Sequence, residues 1–290
     1  MNRKIVFVGA LASAALLASC GGAKGGFNYE AQISVICRED GSGTKAAFLE
    51  IIGLKGQKGD VKGAIIQNST AAVLQGVKQN PYAIAYDSLG YVTEDVKKLS
   101  VNGVPCTLEN CKTGDYAISR PLSVVYKEAT IKASSVFSSY LAFLSSSQVQ
   151  KIIGDNGYVS IVDGAKEYQP SPELAGQINI SGSTSLQPLM GLIAEEFKKV
   201  QPNVTVNVSG GGSGTGLSDA ENGTSDFGMI SKNFVQTDAP SCTSLTVAKD
   251  GIAVIVSKDN PVESITMDQL KSIYGNGEGE HILTWASFKE

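Results

Sequence analysis

Short apolar runs alternate with amphipathic segments along most of the chain. Residues 33–37 form an apolar run that predicts a buried strand, and residues 44–52 predict the helix that follows it. The same order returns later, where residues 178–180 predict a strand and residues 186–200 an amphipathic helix. Strands that alternate with helices are typical of parallel sheets, which bind ligands beyond the carboxyl ends of their strands. The pattern therefore predicts an α/β fold and favours two sheets over one.

Further elements are predicted on both sides of a linker at residues 163–177, which is polar and contains Pro170 and Pro172. Strands are predicted at residues 82–86, 122–126, 204–208, 226–230 and 251–257. Helices are predicted at residues 71–78 and 134–153. The Asn-Ser-Thr sequence at residues 68–70 is typical of a helix N-cap and predicts the start of the first of these helices.

The first twenty residues have the pattern of an export signal. A basic start at residues 2–4 precedes an apolar stretch at residues 5–16, which is too short to span a bilayer stably. Small residues before Cys20 and two glycines after it resemble the bacterial lipoprotein signal, which implies removal of residues 1–19 and acylation of Cys20. An ordinary secretory signal that contains a Cys is the alternative. We expect residues 20–32 to be a Gly-rich tether and the lipid to anchor the protein on the extracytoplasmic side of a bacterial membrane.

Composition narrows the classes of ligand. The 290 residues are enough for two modest domains, and 42% hydrophobic with 18% charged residues is an ordinary globular balance. The net charge of -4 gives no support to nucleic-acid binding, so an anionic ligand would have to be attracted by local geometry. The single histidine, His281, disfavours most general-base and metal-site schemes. We therefore expect no metal and no cofactor.

Four cysteines follow Cys20. Cys106 and Cys111 flank a short polar loop and are the candidate disulfide in an oxidising compartment. Cys37 lies in an apolar strand-like run and Cys242 just before another, so either could be a buried thiol.

Three turns rich in Ser, Thr and Gly follow predicted strands, at residues 41–44, 182–185 and 211–215. Free N–H groups at a helix N-terminus attract anions, Gly allows a ligand to approach the backbone, and hydroxyls add donors. Arg38, beside the first turn, could add a charge-assisted contact. The nucleotide P-loop pattern is excluded, because Gly43-Thr44-Lys45 has the wrong order.

Together these motifs resemble the phosphate-binding component of Pst-type ABC transporters. The matching segments are Arg-Glu-Asp-Gly-Ser-Gly-Thr at 38–44, Gly-Ser-Thr-Ser-Leu-Gln-Pro at 182–188, Gly-Ser-Gly-Thr-Gly at 212–216 and Ser-Asp-Phe-Gly at 225–228. The resemblance extends over nearly all of residues 33–288 and includes the strand at 251–256. It implies a two-lobed periplasmic-binding-protein fold (type II) that closes on one dehydrated phosphate in the cleft between the lobes. The implied partners are inorganic phosphate and permease subunits, and a monomer is expected.

The resemblance also implies roles for individual residues. Donors from one lobe would be Arg38, Ser42, Gly43 and Thr44, and donors from the other would be Ser183, Thr184, Ser185 and Ser213. Asp226 matches the carboxylate acceptor of the family, and Asp40 is expected to hold Arg38 in position. An ionised carboxylate can only accept hydrogen bonds, so Asp226 would favour phosphate or arsenate, which carry a proton, over sulfate.

The order of the motifs is reversed with respect to the family, in which the Gly-Ser-Thr-Ser turn comes first. This predicts a circular permutation, with one lobe formed by residues 27–117 and 254–290 and the other by residues 118–253. The alternative is a piece of a longer tandem protein. Two other functions stay open. A phosphate-sensing lipoprotein is not separated from a transport receptor by the sequence, and a secreted phosphatase is disfavoured by the lack of a nucleophile or metal cluster.

Overall fold

The computed structural model describes residues 26–171, 173–277 and 281–289. The expected signal at residues 1–19 and the acylated Cys20 lie outside the described residues. In the described part of the chain, no helix has the length and apolar character needed to cross a bilayer.

Strands and helices alternate in both halves, as the hydrophobic pattern predicts. The strands are β1 (Ser34–Arg38), β2 (Ile65–Gln67), β3 (Ala83–Ser88), β4 (Val96–Lys98), β5 (Ser100–Val101), β6 (Ser119–Tyr126), β7 (Gly176–Gly182), β8 (Val204–Gly210), β9 (Phe227–Ile230), β10 (Thr243–Ser257) and β11 (Ser264–Ile265). The helices are α1 (Gly43–Ile51), α2 (Thr70–Lys78), α3 (Leu108–Thr113), α4 (Glu128–Ala133), α5 (Ser135–Leu144), α6 (Ser147–Asp155), α7 (Gln187–Val200), α8 (Ser213–Asn222) and α9 (Met267–Tyr274). Two 3-10 turns lie at Gln236–Asp238 and Trp285–Phe288.

One long strand joins the two halves of the fold. The main sheet has the order β2-β1-β3-β10-β6-β9-β7-β8, with β4 also paired to β10. The first part of β10 runs antiparallel to β6, and its second part, from Ile252 to Val256, runs antiparallel to β3. The α/β class is therefore confirmed. The preference for two separate sheets is wrong, because β10 is long enough to pair with strands of both halves.

Each half has its own hydrophobic core. The first core is formed by buried residues between 33 and 118 and between 252 and 285, together with Val159; it includes Phe48, Tyr86 and Trp285. The second core is formed by residues between 122 and 248 and includes Phe197. A smaller cluster of buried residues between 125 and 242, which includes Leu217 of α8, lies in the same half. We call the elements packed on the first core the first lobe, and those packed on the second core or on this smaller cluster the second lobe.

Three segments differ from the expectation in detail. The helix predicted at 134–153 is broken into α5 and α6, because the Ser146 hydroxyl accepts a hydrogen bond from the Val149 N–H and starts a new helix. Inside the predicted linker, Tyr168 is buried in the second core. The last part of the predicted tether is folded onto the first lobe, because the Phe27 ring packs on the Tyr82 ring with centroids 5.2 Å apart.

Candidate functional site

Four helices begin at one end of the main sheet, where the parallel strands β1 and β7 finish. They are α1 and α2 of the first lobe and α7 and α8 of the second lobe. The N-terminus of each helix has free N–H groups and a partial positive charge, so their convergence favours an anion. The three turns that the sequence singles out lie at these helix starts, and the structure brings them together.

Side chains from the two lobes contact each other directly at this place. The Thr44 Oγ1 and the Ser185 Oγ are 2.9 Å apart, and the Arg38 Nη2 donates to the Thr184 Oγ1 at 3.1 Å. The Gly214 N–H donates to the Gly41 carbonyl at 2.9 Å. We call this set of contacts the donor cluster. It joins a turn of the first lobe to two turns of the second.

Arg38 is the cationic group of the donor cluster and is 2% exposed. Its Nε and Nη2 donate to the two carboxylate oxygens of Glu39, each at 2.8 Å. The expectation that Asp40 holds Arg38 is therefore wrong. The Asp40 side chain is 91% exposed and faces α1, where the Lys45 ammonium binds it at 2.8 Å and lowers the pKa of the Asp40 carboxyl.

The second lobe contributes a hydroxyl turn and the start of α8. The Ser183 Oγ accepts from the Leu186 N–H at 3.3 Å, so it also shapes the turn before α7. The Ser213 Oγ accepts from the Ser231 N–H at 3.0 Å. A Cβ on Gly43 would lie 2.2 Å from the Ser213 Oγ. Only glycine at position 43 allows this approach between the lobes.

Two further residues, which we add to the donor cluster, were not predicted as site residues from the sequence. The Thr70 Oγ1 lies 3.1 Å from the Thr184 Oγ1 and 3.2 Å from the Ser185 Oγ. The Ser231 Oγ lies 3.4 Å from the Ser213 Oγ. Thr70 is the first residue of α2, and Ser231 follows the carboxyl end of β9. The argument applied to the other turns, which looks for hydroxyls at helix starts and after strand ends, could therefore have identified both.

Asp226 does not lie with the donor cluster. It precedes β9, and its carboxylate accepts from the Asn179 N–H at 2.8 Å. Because β9 runs parallel to β7, its start lies beside Asn179, four residues before Ser183 and thus roughly 13 Å along the strand from the turn. The structure therefore contradicts the role of phosphate-proton acceptor that the motif implied for Asp226.

A buried ion pair lies behind the donor cluster, on the two strands at the junction of the lobes. Arg120 of β6 donates to the Asp250 carboxylate of β10 at 3.0 Å, with both side chains at most 1% exposed. The Arg120 Nη1 also donates to the Ser231 carbonyl at 3.1 Å. Burial raises the pKa of Asp250, and the charge of Arg120 opposes that rise. The pair thus holds the end of β9 against the crossing strands.

Comparison with known proteins identifies the family to which the chain belongs. The model of a family described as "PBP superfamily domain" matches residues 23–148 and 168–288. Phosphate-binding protein PstS 2 of Streptococcus pneumoniae is 35% identical over 281 residues, which cover 94% of each chain. The chain belongs to the PBP superfamily, and within it to the PstS family.

Two further relatives of this PstS-family chain agree in sequence and structure. PstS 2 of Streptococcus agalactiae is 37% identical over 250 residues, covering 83% of this chain and 84% of the relative. The crystal structure of a phosphate-binding protein of a phosphate ABC transporter from S. pneumoniae is 34% identical, with a TM-score of 0.70. It covers 89% of this chain and 100% of its own.

The order of the two halves is shared with these PstS relatives. One alignment covers 94% of this chain and 94% of the pneumococcal protein, so the halves follow each other in the same order in both. The predicted circular permutation is therefore not confirmed.

The four cysteines in the described part of this PstS-family chain are thiols. Cys106 and Cys111 are free and buried, as are Cys37 and Cys242, so the candidate disulfide is not formed. A hydrogen bond between the two thiols raises the pKa of Cys106 and lowers that of Cys111. In the described ranges, no group of His, Cys, Asp and Glu is arranged to hold a metal ion.

Proposed function

We propose that this chain captures inorganic phosphate between its lobes and delivers it to the permease subunits of an ABC transporter. The observation that carries the proposal is the donor cluster, in which Arg38 and hydroxyls of both lobes meet at four helix N-termini. The relatives named above are phosphate-binding proteins, and the solved one belongs to a phosphate ABC transporter.

The chemistry of the donor cluster suits a small tetrahedral oxyanion. Hydroxyls and backbone N–H groups donate from several directions, while the guanidinium of Arg38 supplies a positive charge. Since the net charge is -4, this local arrangement has to provide the attraction. Buried donors at helix starts can replace the water shell of the anion without a compensating cation from solution.

The binding residues predicted from the sequence, apart from Asp226, form this site in the proposal. They are Arg38, Ser42, Gly43 and Thr44 of the first lobe and Ser183, Thr184, Ser185 and Ser213 of the second, to which we add Thr70 and Ser231. The Thr44–Ser185 and Thr70–Thr184 contacts are direct in the structure. A bound phosphate would take up these hydroxyls as donors, so capture of the anion and closure of the lobes are coupled.

Calorimetric titration of the full chain with inorganic phosphate tests the proposal. We expect one phosphate per chain, and a loss of affinity of about a hundredfold in Arg38→Met, which removes a charge-assisted contact. Lys112→Met, on the exposed side of α3, removes the same charge elsewhere and should bind like the unaltered chain. Absence of heat with phosphate, or equal affinity in Arg38→Met, would overturn the proposal.

We further propose that a lipid on Cys20 holds the protein at the extracytoplasmic face of the membrane. The pattern of the first twenty residues supports it, because small residues precede Cys20 and glycines follow it. Cys20→Ser should abolish incorporation of labelled fatty acid during expression, whereas Cys242→Ser should not. Labelling that persists in Cys20→Ser would contradict the anchor.

A further inference from the structure

Cys106 and Cys111 are buried thiols in an otherwise exposed segment of the first lobe. Within residues 102–115, all of which the structure describes, they are the two buried residues. Cys106 is 3% exposed and Cys111 is 0% exposed. A hydrogen bond joins the two thiols, so their sulfur atoms lie next to each other. The pair therefore holds α3 against the rest of the lobe.

The positions of the two cysteines relative to α3 explain their contact. The N-cap of the helix is Thr107, whose hydroxyl accepts from the Asn110 N–H at 3.2 Å. Cys106 precedes this N-cap, and Cys111 is the fourth residue of the helix. Apolar side chains at these two positions often pack on each other and fix the direction from which the chain enters a helix. Here the two side chains are thiols, which can be joined covalently.

Both sulfur atoms lie over the residue at which β10 changes its neighbour. Gly251 pairs with β6, whereas Ile252, the next residue, pairs with β3. A Cβ on Gly251 would lie 2.6 Å from the Cys111 Sγ and 3.2 Å from the Cys106 Sγ. Glycine at position 251 thus leaves room for both sulfur atoms. The thiol pair rests on the junction of the two lobes.

Two hydrogen bonds also connect this segment to β10. The Lys249 Nζ donates to the Cys111 carbonyl at 2.7 Å, a favourable place for a cation because the last carbonyls of a helix carry a partial negative charge. The hydroxyl of Tyr116, which follows α3, donates to the Ile252 carbonyl at 2.9 Å. These bonds hold β10 on both sides of Gly251. Movement of one lobe against the other has to deform β10 near this residue, so the rigidity of α3 affects the junction.

We propose that Cys106 and Cys111 are a redox modification site, at which a disulfide-containing oxidant joins the two sulfur atoms and fixes α3 against the junction of the lobes. Disulfides form and persist outside the bacterial cytoplasm, the location proposed above for this protein. The structure contains the reduced state. The oxidised state keeps the existing contact and replaces the hydrogen bond between the thiols with a covalent bond.

The oxidation is a pair of thiol–disulfide exchanges with an oxidant R–S–S–R. One thiol of the pair loses its proton, and its sulfur attacks the oxidant to form a mixed disulfide. The first R–S⁻ leaves and takes up that proton. The second thiol then loses its proton and its sulfur attacks the protein sulfur of the mixed disulfide, so the second R–S⁻ leaves and is protonated in turn. The cysteines lose two electrons and two protons, and the oxidant becomes two R–SH.

Local opening of α3 gives the oxidant access to the buried sulfur atoms. The helix has six residues, whereas isolated helices shorter than about 12 residues are marginal in water. All of its residues except Asn110 and Cys111 are exposed. Opening of α3 therefore costs less free energy than unfolding of the lobe. The disulfide, once formed, opposes the same opening.

Equilibration of the full chain with reduced and oxidised glutathione tests the site, followed by alkylation and peptide mapping. The disulfide should join Cys106 to Cys111. Its equilibrium constant should be about tenfold or more larger in the folded protein than in urea, because the fold already holds the sulfur atoms together. Cys37 and Cys242 lie in separate clusters and should stay unlinked. An equal or smaller constant in the folded protein, or a disulfide that includes Cys37 or Cys242, would overturn the inference.

Hydrogen exchange of β10 tests the effect on the junction. The Lys249 N–H donates to the Val159 carbonyl and the Ile252 N–H to the Ile118 carbonyl, so both report on opening of this strand. Their exchange should be about tenfold slower in the oxidised than in the reduced chain.

Cys106→Ser, the control for the exchange experiment, cannot form the disulfide and should show no difference between the two treatments. Equal exchange rates in the oxidised and reduced unaltered chain would overturn the proposed effect on the junction. Neither readout involves phosphate, so failure of the proposed function and failure of this inference are distinguishable.

Discussion

The hydroxyls of Thr44 and Ser185 lie 2.9 Å apart, although 141 residues separate them along the chain. Thr44 belongs to the first turn of α1, and Ser185 to the turn before α7. The contact joins the lobes at the point where their helix N-termini meet. Each hydroxyl can donate, accept, or turn to a third group, so the pair can exchange its mutual bond for bonds to an anion.

The first prediction concerns this pair. Thr44→Val keeps the shape of the side chain and removes its hydroxyl, so phosphate affinity should fall about tenfold, the worth of one hydrogen bond. Ser185→Ala should cost a similar factor, and the double variant less than the product, since the two groups contact each other. Calorimetry measures all three. Full affinity in Thr44→Val would refute the placement of this hydroxyl in the site.

The second prediction concerns the partner of Arg38. Glu39→Gln removes the carboxylate that binds the buried guanidinium twice, so the free energy of unfolding should fall by roughly 2 kcal/mol. Asp40→Asn, one residue further, changes a side chain that is 91% exposed and should cost less than about 0.5 kcal/mol. Urea unfolding without phosphate measures both. An equal loss in the two variants would restore Asp40 as the holder of Arg38.

The third prediction compares two glycines of the second lobe. A Cβ on Gly228 would lie 2.0 Å from the Gly216 carbonyl oxygen, so Gly228→Ala must separate β9 from α8 and should cost roughly 3 kcal/mol. Gly191 is inside α7 with nothing within 4 Å of an added Cβ. Gly191→Ala should therefore stabilise the protein by about 0.5–1 kcal/mol. Thermal unfolding followed by circular dichroism distinguishes the two; a stable Gly228→Ala would show that the strand and helix can separate freely.

The fourth prediction concerns stability and pH. The pKa of Asp87 is raised from 3.8 to about 8 in the folded protein, so the native state holds a proton that the unfolded chain has lost. The contribution of Asp87 to the free energy of unfolding is fully present below about pH 4. It declines towards about pH 8, by up to about 1.4 kcal/mol per pH unit. Asp87→Asn removes the decline, so its advantage in urea unfolding should grow across this interval. A constant difference between the two chains would contradict the raised pKa.

The sequence correctly predicts that the three turns rich in Ser, Thr and Gly lie close together, because turns that follow parallel strands lie at the same edge of a sheet. Arg38, Thr44 and Ser185 are found there for that reason. The role predicted for Asp226 is wrong because its sequence motif does not show at which end of the strand the residue lies. It precedes β9 instead of following it, so it lies at the opposite edge, whereas Ser231 at the other end of the same strand reaches the site.

Pairings between distant segments were harder to predict. Whether Glu39 or Asp40 binds Arg38 depends on the direction in which the turn after β1 points their two carboxylates. The alternation of side chains along a strand does not predict this direction. The Oδ2 of the buried Asp87 has no hydrogen-bond partner within the described residues, because Arg38 and Arg120, the two cations that act on this carboxyl, are paired with other carboxylates. This depends on several strands together. The continuity of the main sheet through β10 depends likewise on the length over which β3 and β6 pair with this strand.

The path of β10 has a consequence for the order of folding. The second core is complete once residue 248 has emerged, whereas the first core needs Ile252–Val256 of β10 and Trp285. For a chain that emerges from its amino end, the lobe whose residues appear first is thus the last to fold. Phe48 and Tyr86 stay without β10, the strand that completes their core, until about two hundred further residues have been synthesised. Premature collapse or aggregation of this early segment is the hazard that the arrangement creates.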